Sequence, residues 1–234
     1  MGVWMKTVVI TGADRGCGLA LVRCFMEDGW RVYAGQFMPE WKELERLKQE
    51  FGSNLILMPL DVGDDVSVQE AAEFVGTREE KIDMLVNVAG IAGGAEDDAD
   101  VWKQVFQVNV LGPLRMTEAF LPLLRGGKKR ICVYSSEAGS ITTQPREDGF
   151  AYSMSKTAVN MEMRLMFNRL RREGFTFRIY HPGWVRSYMS GVRSKAGVYE
   201  PEESSMSAYR QFVTDRSCED VLLMTDVKDE IWPF

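Results

Sequence analysis

The chain has 234 residues, 45% of them hydrophobic and 26% charged, and a net charge of -6. That length suffices for a sizeable core within a single α/β domain over residues 1–234. The acidic balance argues against nucleic acid as a partner, and no apolar run approaches the ~20 residues that span a bilayer.

The amino terminus lacks signal-peptide features, so a cytoplasmic location is expected. Cys17, Cys24, Cys132 and Cys218 show neither close pairing nor metal-ligand spacing and read as small buried hydrophobes. The single histidine, His181, precedes Pro182-Gly183 at the end of an apolar run and reads as a strand-end residue. Neither Ser-His-Asp hydrolysis nor a histidine-based metal site is therefore expected.

In chain order, strand-like runs cover Thr7 to Ile10, Arg31 to Ala34, Leu55 to Leu60, Met84 to Val88, Arg130 to Tyr134, Phe175 to His181 and Val221 to Met224. Helical patterns lie between them, over Gly18 to Asp28, Pro39 to Glu50, Asp65 to Arg78, Ala99 to Leu124, Tyr152 to Glu173 and Glu202 to Val213. Continuous apolar strands separated by helices predict a doubly wound parallel sheet covered on both faces, a three-layer α/β fold.

The first strand runs into Thr11-Gly12-Ala13-Asp14-Arg15-Gly16-Cys17-Gly18. Glycines there allow a tight turn and close approach of a pyrophosphate to backbone N–H groups, at the positive end of the next helix. At the second strand's end, Gln36-Phe37 supplies neither the acid that holds an adenosine ribose nor a base for a 2′-phosphate. Arg15 is positioned to reach a phosphate, which favours NADP(H) over NAD(H); its alternative reading is a solvated loop residue.

Asp61-Val62 and Asn87-Val88-Ala89-Gly90 follow the third and fourth strands, at carboxyl ends where doubly wound sheets bind ligands. Asp61 reads either as an acceptor for an adenine amino group or as the cap of the helix near Asp65. Asn109 is an amide among apolar residues and needs a buried partner. Ser135 and Ser136 deliver two hydroxyls at the fifth strand's end. Tyr152 and Lys156 stand four apart on a predicted helix and share one face. A fixed cation beside a phenol is expected to favour the phenolate and lower its pKa, suiting it to exchange a proton with a carbonyl or alcohol oxygen.

Taken together, Thr11-Gly12-x-x-x-Gly16-x-Gly18, Asp61-Val62, Asn87-x-Ala89-Gly90, Asn109, Ser135-Ser136-x-x-Gly139, Tyr152-x-x-x-Lys156 and Pro182-Gly183 resemble the short-chain dehydrogenase/reductase family over nearly the whole chain. Within it, Tyr152 to Met161 and His181 to Ser187 look like the subgroup of C-factor and Sniffer-type carbonyl reductases. The resemblance implies a Rossmann-type sheet of order 3-2-1-4-5-6-7 and hydride transfer between a nicotinamide cofactor and a carbonyl or alcohol. It implies a tetrad in which Tyr152 is the acid/base, Ser136 holds the substrate oxygen, Lys156 binds the nicotinamide ribose and Asn109 supports a water.

By the same resemblance Pro182, Gly183, Val185 and Ser187 contact the nicotinamide, and the helices Ala99 to Leu124 and Tyr152 to Glu173 build a homodimer or homotetramer. Three departures stand out. Val88 replaces a second asparagine, Asp14 puts a carboxylate in the phosphate loop, and the interval from Ser136 to Tyr152 is lengthened around Arg146-Glu147-Asp148-Gly149. A lid is expected over 184–201, where Arg186, Arg193 and Lys195 read as solvated cations or as attractors of an acidic substrate. A dinucleotide-binding regulatory protein without useful catalysis is the competing reading.

Overall fold

Side chains along the strands alternate between two apolar layers. Val9, Leu85, Ile131, Val133, Phe177 and Ile179 enter one, while Val8, Ile10, Met84, Val86, Cys132, Tyr134 and Tyr180 enter the other. A period of two with both sides apolar is what a strand covered on both faces requires. The computed structural model describes residues 5–94, 98–189 and 191–234, so position 190 of the expected lid lies outside it.

The elements in order are β1 (Thr7–Ile10), α1 (Gly16–Glu27), β2 (Arg31–Gln36), α2 (Glu43–Phe51), β3 (Leu55–Pro59), α3 (Asp65–Gly76), β4 (Met84–Asn87) and α4 (Ala99–Phe106). They continue with α5 (Gly112–Leu124), β5 (Arg130–Tyr134), α6 (Phe150–Leu170), β6 (Thr176–Tyr180), α7 (Pro201–Val213), β7 (Met224–Thr225) and β8 (Ile231–Trp232). The sheet runs in the order β3-β2-β1-β4-β5-β6-β7-β8. It is parallel through β7, and β8 pairs antiparallel with β7. The expected order 3-2-1-4-5-6-7 is thus present, with an eighth strand added at its edge.

Several expected boundaries shift for local reasons. The long helix over Ala99 to Leu124 is broken by a π turn at Gln107–Leu111. Pro113, in the first turn of α5, has no N–H with which to continue the α ladder onto the carbonyl of residue 109. Strand β7 starts at Met224, leaving Val221 exposed. The strands also hide two charges the apolar pattern did not announce. Arg130 and Arg178 are buried, and their guanidinium groups meet Asp215 at 2.7 Å and Glu219 at 2.6 Å respectively.

The cysteine expectation holds for Cys24 and Cys132, which are buried, and fails for Cys218, which is exposed. On α6, Met163, Met166 and Phe167 belong to the core, whereas Met161 and Leu165 face outward. Between them sits Glu162, whose two carboxylate oxygens are buried and find no hydrogen-bond partner among the described residues. Burial, helped by the neighbouring Glu118, raises its pKa from 4.5 to about 8.

A raised carboxyl pKa makes the folded state bind more protons than the unfolded one between those two values. Stability should therefore be fullest below 4.5 and decline as pH rises toward 8. Glu162→Gln is expected to raise the melting temperature at pH 8 and to leave it nearly unchanged at pH 4.5, by calorimetry at both values. Equal shifts at both pH values would show that the carboxyl does not titrate in this way.

Candidate active site

The site begins where the strand order reverses, between β1 and β4, since ligands of such sheets sit at that crevice. Thr11 Oγ1 accepts from the N–H groups of Val88 and Ala89, each at 3.0 Å, and so ties the turn after β1 to the turn after β4. Gly12 has a φ of 62°, and a Cβ there would lie 2.8 Å from Ala89 Cα. A Cβ on Gly18 would lie 2.0 Å from the carbonyl oxygen of Gly12. Helix α1 starts at Gly16, so its unpaired N–H groups and positive dipole end open onto this loop. Cys17 fastens the loop from behind, its carbonyl accepting from Ser205 Oγ at 2.9 Å.

Asp14 does not face a phosphate. Its carboxylate accepts from the N–H groups of Phe37 and Met38 at 3.1 and 3.0 Å, bracing the exit of β2. Turned away like this, it leaves the loop without the repulsion its position implied. Arg15 lies over the Trp41 ring at 4.6 Å and touches Met38 Sδ, beside the β2 exit. Gln36, Phe37, Leu60, Asp61 and Ser67 line a cavity of about 290 Å³ next to it. Asp61 Oδ1 accepts from Gly63 N–H at 2.8 Å. The cap of α3 is Asp64, which rules out that reading of Asp61. Val62 packs under Gly112.

Asn87 is 3% exposed, and its side-chain nitrogen and oxygen make no hydrogen bond to any described residue. An amide buried with both functions unused calls for a polar ligand. Together with the glycine cradle and the helix terminus, it fits a dinucleotide laid across the carboxyl ends of β1 and β4.

At the next strand end, the turn after β5 is pressed onto α6. Ser135 Oγ donates to Asn160 Oδ1 at 2.6 Å, and a Cβ on Gly139 would lie 2.7 Å from the carbonyl oxygen of Lys156. Ser136, at the head of that turn, is near enough to the Tyr152 phenol to pull its pKa down. Lys156 Nζ stands 5.7 Å from the centre of the Tyr152 ring and donates to the Tyr134 carbonyl at 2.8 Å. Gly90 lies alongside, where a Cβ would be 3.6 Å from that amine. Asn109, in the π turn, clamps the strand-β4 loop: its amide exchanges two 2.8 Å bonds with the backbone of Ile91 and donates to Ser155 Oγ at 3.0 Å. Of the four expected tetrad members, three thus converge directly, and the Asn109 side chain is spent on holding loop and helix together.

The electrostatics differ from the expectation for an isolated Tyr–Lys pair. Burial pushes the Tyr152 phenol up to about 12, against an opposing pull from the Ser136 contact. Burial likewise brings the Lys156 amine down to about 8. Both groups are being driven toward neutrality, because desolvation penalises the charged form of each and is the largest cause of either shift. At neutral pH the phenol is therefore protonated and the amine still mostly charged.

Beyond β6, the Pro182 carbonyl accepts from Ser204 Oγ at 2.8 Å. Gly183, with a φ of 71°, lies where a Cβ would be 2.7 Å from the Tyr199 ring. Val185 pairs with Tyr199 in an isolated bridge, and Ser187 N–H closes a tight turn onto the Val185 carbonyl at 2.7 Å. Arg186 and Arg193 both bind Glu200, at 2.7 and 2.5 Å, so these two cations fasten the lid segment.

Three features escaped sequence reading. Tyr188 reaches across to Trp41, their rings 5.1 Å apart. His181 is buried and accepts from Glu137 N–H at 3.2 Å. Glu137 Oε2 itself accepts a hydrogen bond from Ser136 Oγ at 2.7 Å. The signal for Glu137 was a carboxylate directly after the motif serine.

Comparisons with known proteins agree with this geometry. The short chain dehydrogenase family model matches residues 6–196. An uncharacterised oxidoreductase of Schizosaccharomyces pombe is 34% identical over all of this chain and 94% of its own length. The C-signal protein of Myxococcus xanthus is 43% identical over 116 residues, covering 47% of this chain and 69% of that protein. The crystal structure of an NADPH-bound carbonyl reductase from chicken fatty liver superposes with a TM-score of 0.86 at 26% identity, covering 99% of this chain and 100% of that one. The chain therefore belongs to the short-chain dehydrogenases, and is an oxidoreductase that works with a nicotinamide dinucleotide.

Proposed function

We propose that the protein interconverts a small carbonyl compound and its alcohol with NADP(H), using Tyr152 as general acid in reduction and general base in oxidation. The observation that carries this reading is the meeting of Ser136, Tyr152 and Lys156 beside Gly90. The cofactor supplies the hydride, or accepts it in the reverse direction. Gly12, Arg15, Gly16, Cys17 and Gly18 hold its phosphates; Gln36, Phe37, Asp61 and Val62 surround its adenosine. Asn87, Ala89, Gly90, Pro182, Gly183, Val185 and Ser187 line the remainder.

Within that frame, Tyr152 delivers its proton to the substrate oxygen, and Ser136 is the second group at that oxygen. The residual positive charge of Lys156 favours the phenolate left behind, and its position next to Gly90 suits it to hold a ribose hydroxyl. Asn109 keeps Ile91 and Ser155 in place around the lysine. Turnover of a panel of ketones, aldehydes and alcohols with each cofactor, followed by nicotinamide absorbance, tests the reading. Tight cofactor binding with no turnover of any member would favour a regulatory dinucleotide-binding protein instead.

The preference for NADP(H) rests on Arg15, whose guanidinium lies over Trp41 beside the β2 exit, where the adenosine ribose of a dinucleotide is held. Arg15→Ala is expected to weaken NADPH binding by about 1.5–3 kcal/mol, the worth of a charge-assisted hydrogen bond, and NADH binding far less. Fluorescence titration with both nucleotides measures this. An equal loss for both would remove Arg15 from the discrimination.

A further inference from the structure

Trp41, in the loop between β2 and α2, has no part in the function proposed above, yet two distant segments converge on its ring. Its backbone N–H donates to the Met38 carbonyl at 3.0 Å, closing a tight turn just past the β2 exit. The Arg15 guanidinium lies over the face of the indole at 4.6 Å. Tyr188, from the lid segment, meets the same ring nearly edge-on, with centroids 5.1 Å apart and planes at 75°. Tyr188 also borders the cradle, since a Cβ on Gly16 would lie 3.9 Å from its ring. Trp41 is thus wedged between the cation of the glycine loop and the lid.

The other polar groups at the β2 exit are already engaged. The N–H groups of Phe37 and Met38 go to the Asp14 carboxylate, and the Gln36 amide nitrogen donates to Glu45 at 3.3 Å. Glu45 in turn pairs with Lys42 at 3.4 Å. Arg15 differs from all of these. Among the described residues its guanidinium meets the Trp41 face and the Met38 sulfur, and a thioether is a weak acceptor. Its charge is held in place without being neutralised.

A guanidinium laid over an aromatic ring is attracted to the ring face, while its N–H donors lie in its own plane and stay available at the edge. Ordering a long side chain in advance lowers the entropy lost when an anion binds it. The 2′-phosphate is the group that separates NADP from NAD, so a residue that acts through Arg15 alone alters the choice between the two nucleotides and spares what they share.

We propose that Trp41 is a specificity-determining residue for NADP(H): its ring is the platform that holds Arg15 in place for the 2′-phosphate. This deepens the assignment of Arg15 above and rests on it. Trp41 acts through the guanidinium and makes no phosphate contact of its own.

The test is a double-mutant cycle read as the ratio of the NADH Kd to the NADPH Kd, by fluorescence titration. Trp41→Leu is expected to lower that ratio about fivefold, within the range of a cation–π contact, with the NADH Kd within about 1.5-fold of wild type. Unchanged NADH affinity also shows that the cradle is folded, and Trp41→Gln removes the same ring face should the leucine variant fold poorly. In an Arg15→Ala background the loss of Trp41 should move the ratio by less than about 1.5-fold, because the group it acts through is gone. Trp41→Phe keeps an aromatic face and should stay within about twofold of wild type.

Three results would overturn the proposal. The first is an unchanged ratio in Trp41→Leu, whether both nucleotides bind normally or both are weakened alike. The second is a fivefold fall that persists when Arg15 is already alanine. The third is a Trp41→Phe ratio as low as that of Trp41→Leu, which would mean that the aromatic face is not what counts. Arg15→Ala with a wild-type ratio would instead remove the underlying assignment, and that single variant reports on it independently of Trp41.

Discussion

Replacing Tyr152 by Phe is expected to cut turnover by about a thousandfold or more while NADPH affinity stays at the wild-type value. The substitution deletes one oxygen and keeps the ring, so the packing of α6 beneath it is undisturbed. What disappears is the acid. Because burial holds the phenol near 12, it is protonated at neutral pH and ready to donate in the reducing direction. Lys156 does not substitute for it: its amine is committed to the Tyr134 carbonyl at 2.8 Å and lies 5.7 Å from the ring centre. Single-turnover reduction by bound NADPH isolates the chemical step from binding. A variant retaining turnover within about tenfold of wild type would place the proton donor elsewhere.

Adding one methyl group at Gly18 is expected to have the second-largest effect, acting on binding where Tyr152→Phe acts on chemistry. The new Cβ would meet the Gly12 carbonyl oxygen at 2.0 Å, its carbon at 2.8 Å and Ala13 Cα at 3.1 Å. All three are backbone atoms of one tight loop, so no side chain can swing aside. The loop must open, which displaces the N–H groups at the head of α1 and strains the junction with Ala89. Gly18→Ala should therefore weaken NADPH binding by at least about a hundredfold and cost stability by about 1–3 kcal/mol, the usual range for forced overpacking.

Gly52→Ala is the control, since Gly52 has a φ of 69° but nothing within 4 Å of an added Cβ. With a ψ of -140° it sits in backbone space nearly reserved for glycine, so the methyl costs about 1–3 kcal/mol of strain but should leave cofactor affinity alone. Isothermal titration and thermal melts of the two variants make the comparison. A Gly18→Ala protein that binds NADPH like wild type would mean the loop is not the phosphate cradle.

The strands and the site's ingredients were legible because they are periodic or local. Val8, Val9 and Ile10 read as a buried strand from three residues, and Gly12, Gly16 and Gly18 read as a loop from their spacing. Tyr152 and Lys156 share a face because a helix turn brings them together. Partners were harder to read than positions. Asp14 lies between Gly12 and Gly16 in sequence, yet its carboxylate serves Phe37 and Met38, which β2 brings alongside. Asn109 was expected to find a buried partner and finds Ile91 and Ser155, contacts that depend on where the turn after β4 meets α6.

The same division explains the two expectations that changed sign or weight. The spacing of Tyr152 and Lys156 announces a phenol beside an amine, but not how much water each loses, and it is that loss which raises one pKa and lowers the other. Arg186 and Arg193 looked free along the chain, and both fold back onto Glu200.

What the amino-acid order determined alone is the alternation of strands and helices, the glycine turn and the roster of reactive groups, since each depends on neighbours within a few residues. Tertiary structure decided which polar group satisfies which, how far each ionisable side chain is stripped of water, and that Glu137 N–H meets His181. Those outcomes depend on segments tens of residues apart meeting at the sheet's carboxyl edge, where desolvation and pairing are set by three-dimensional neighbours that no local pattern encodes.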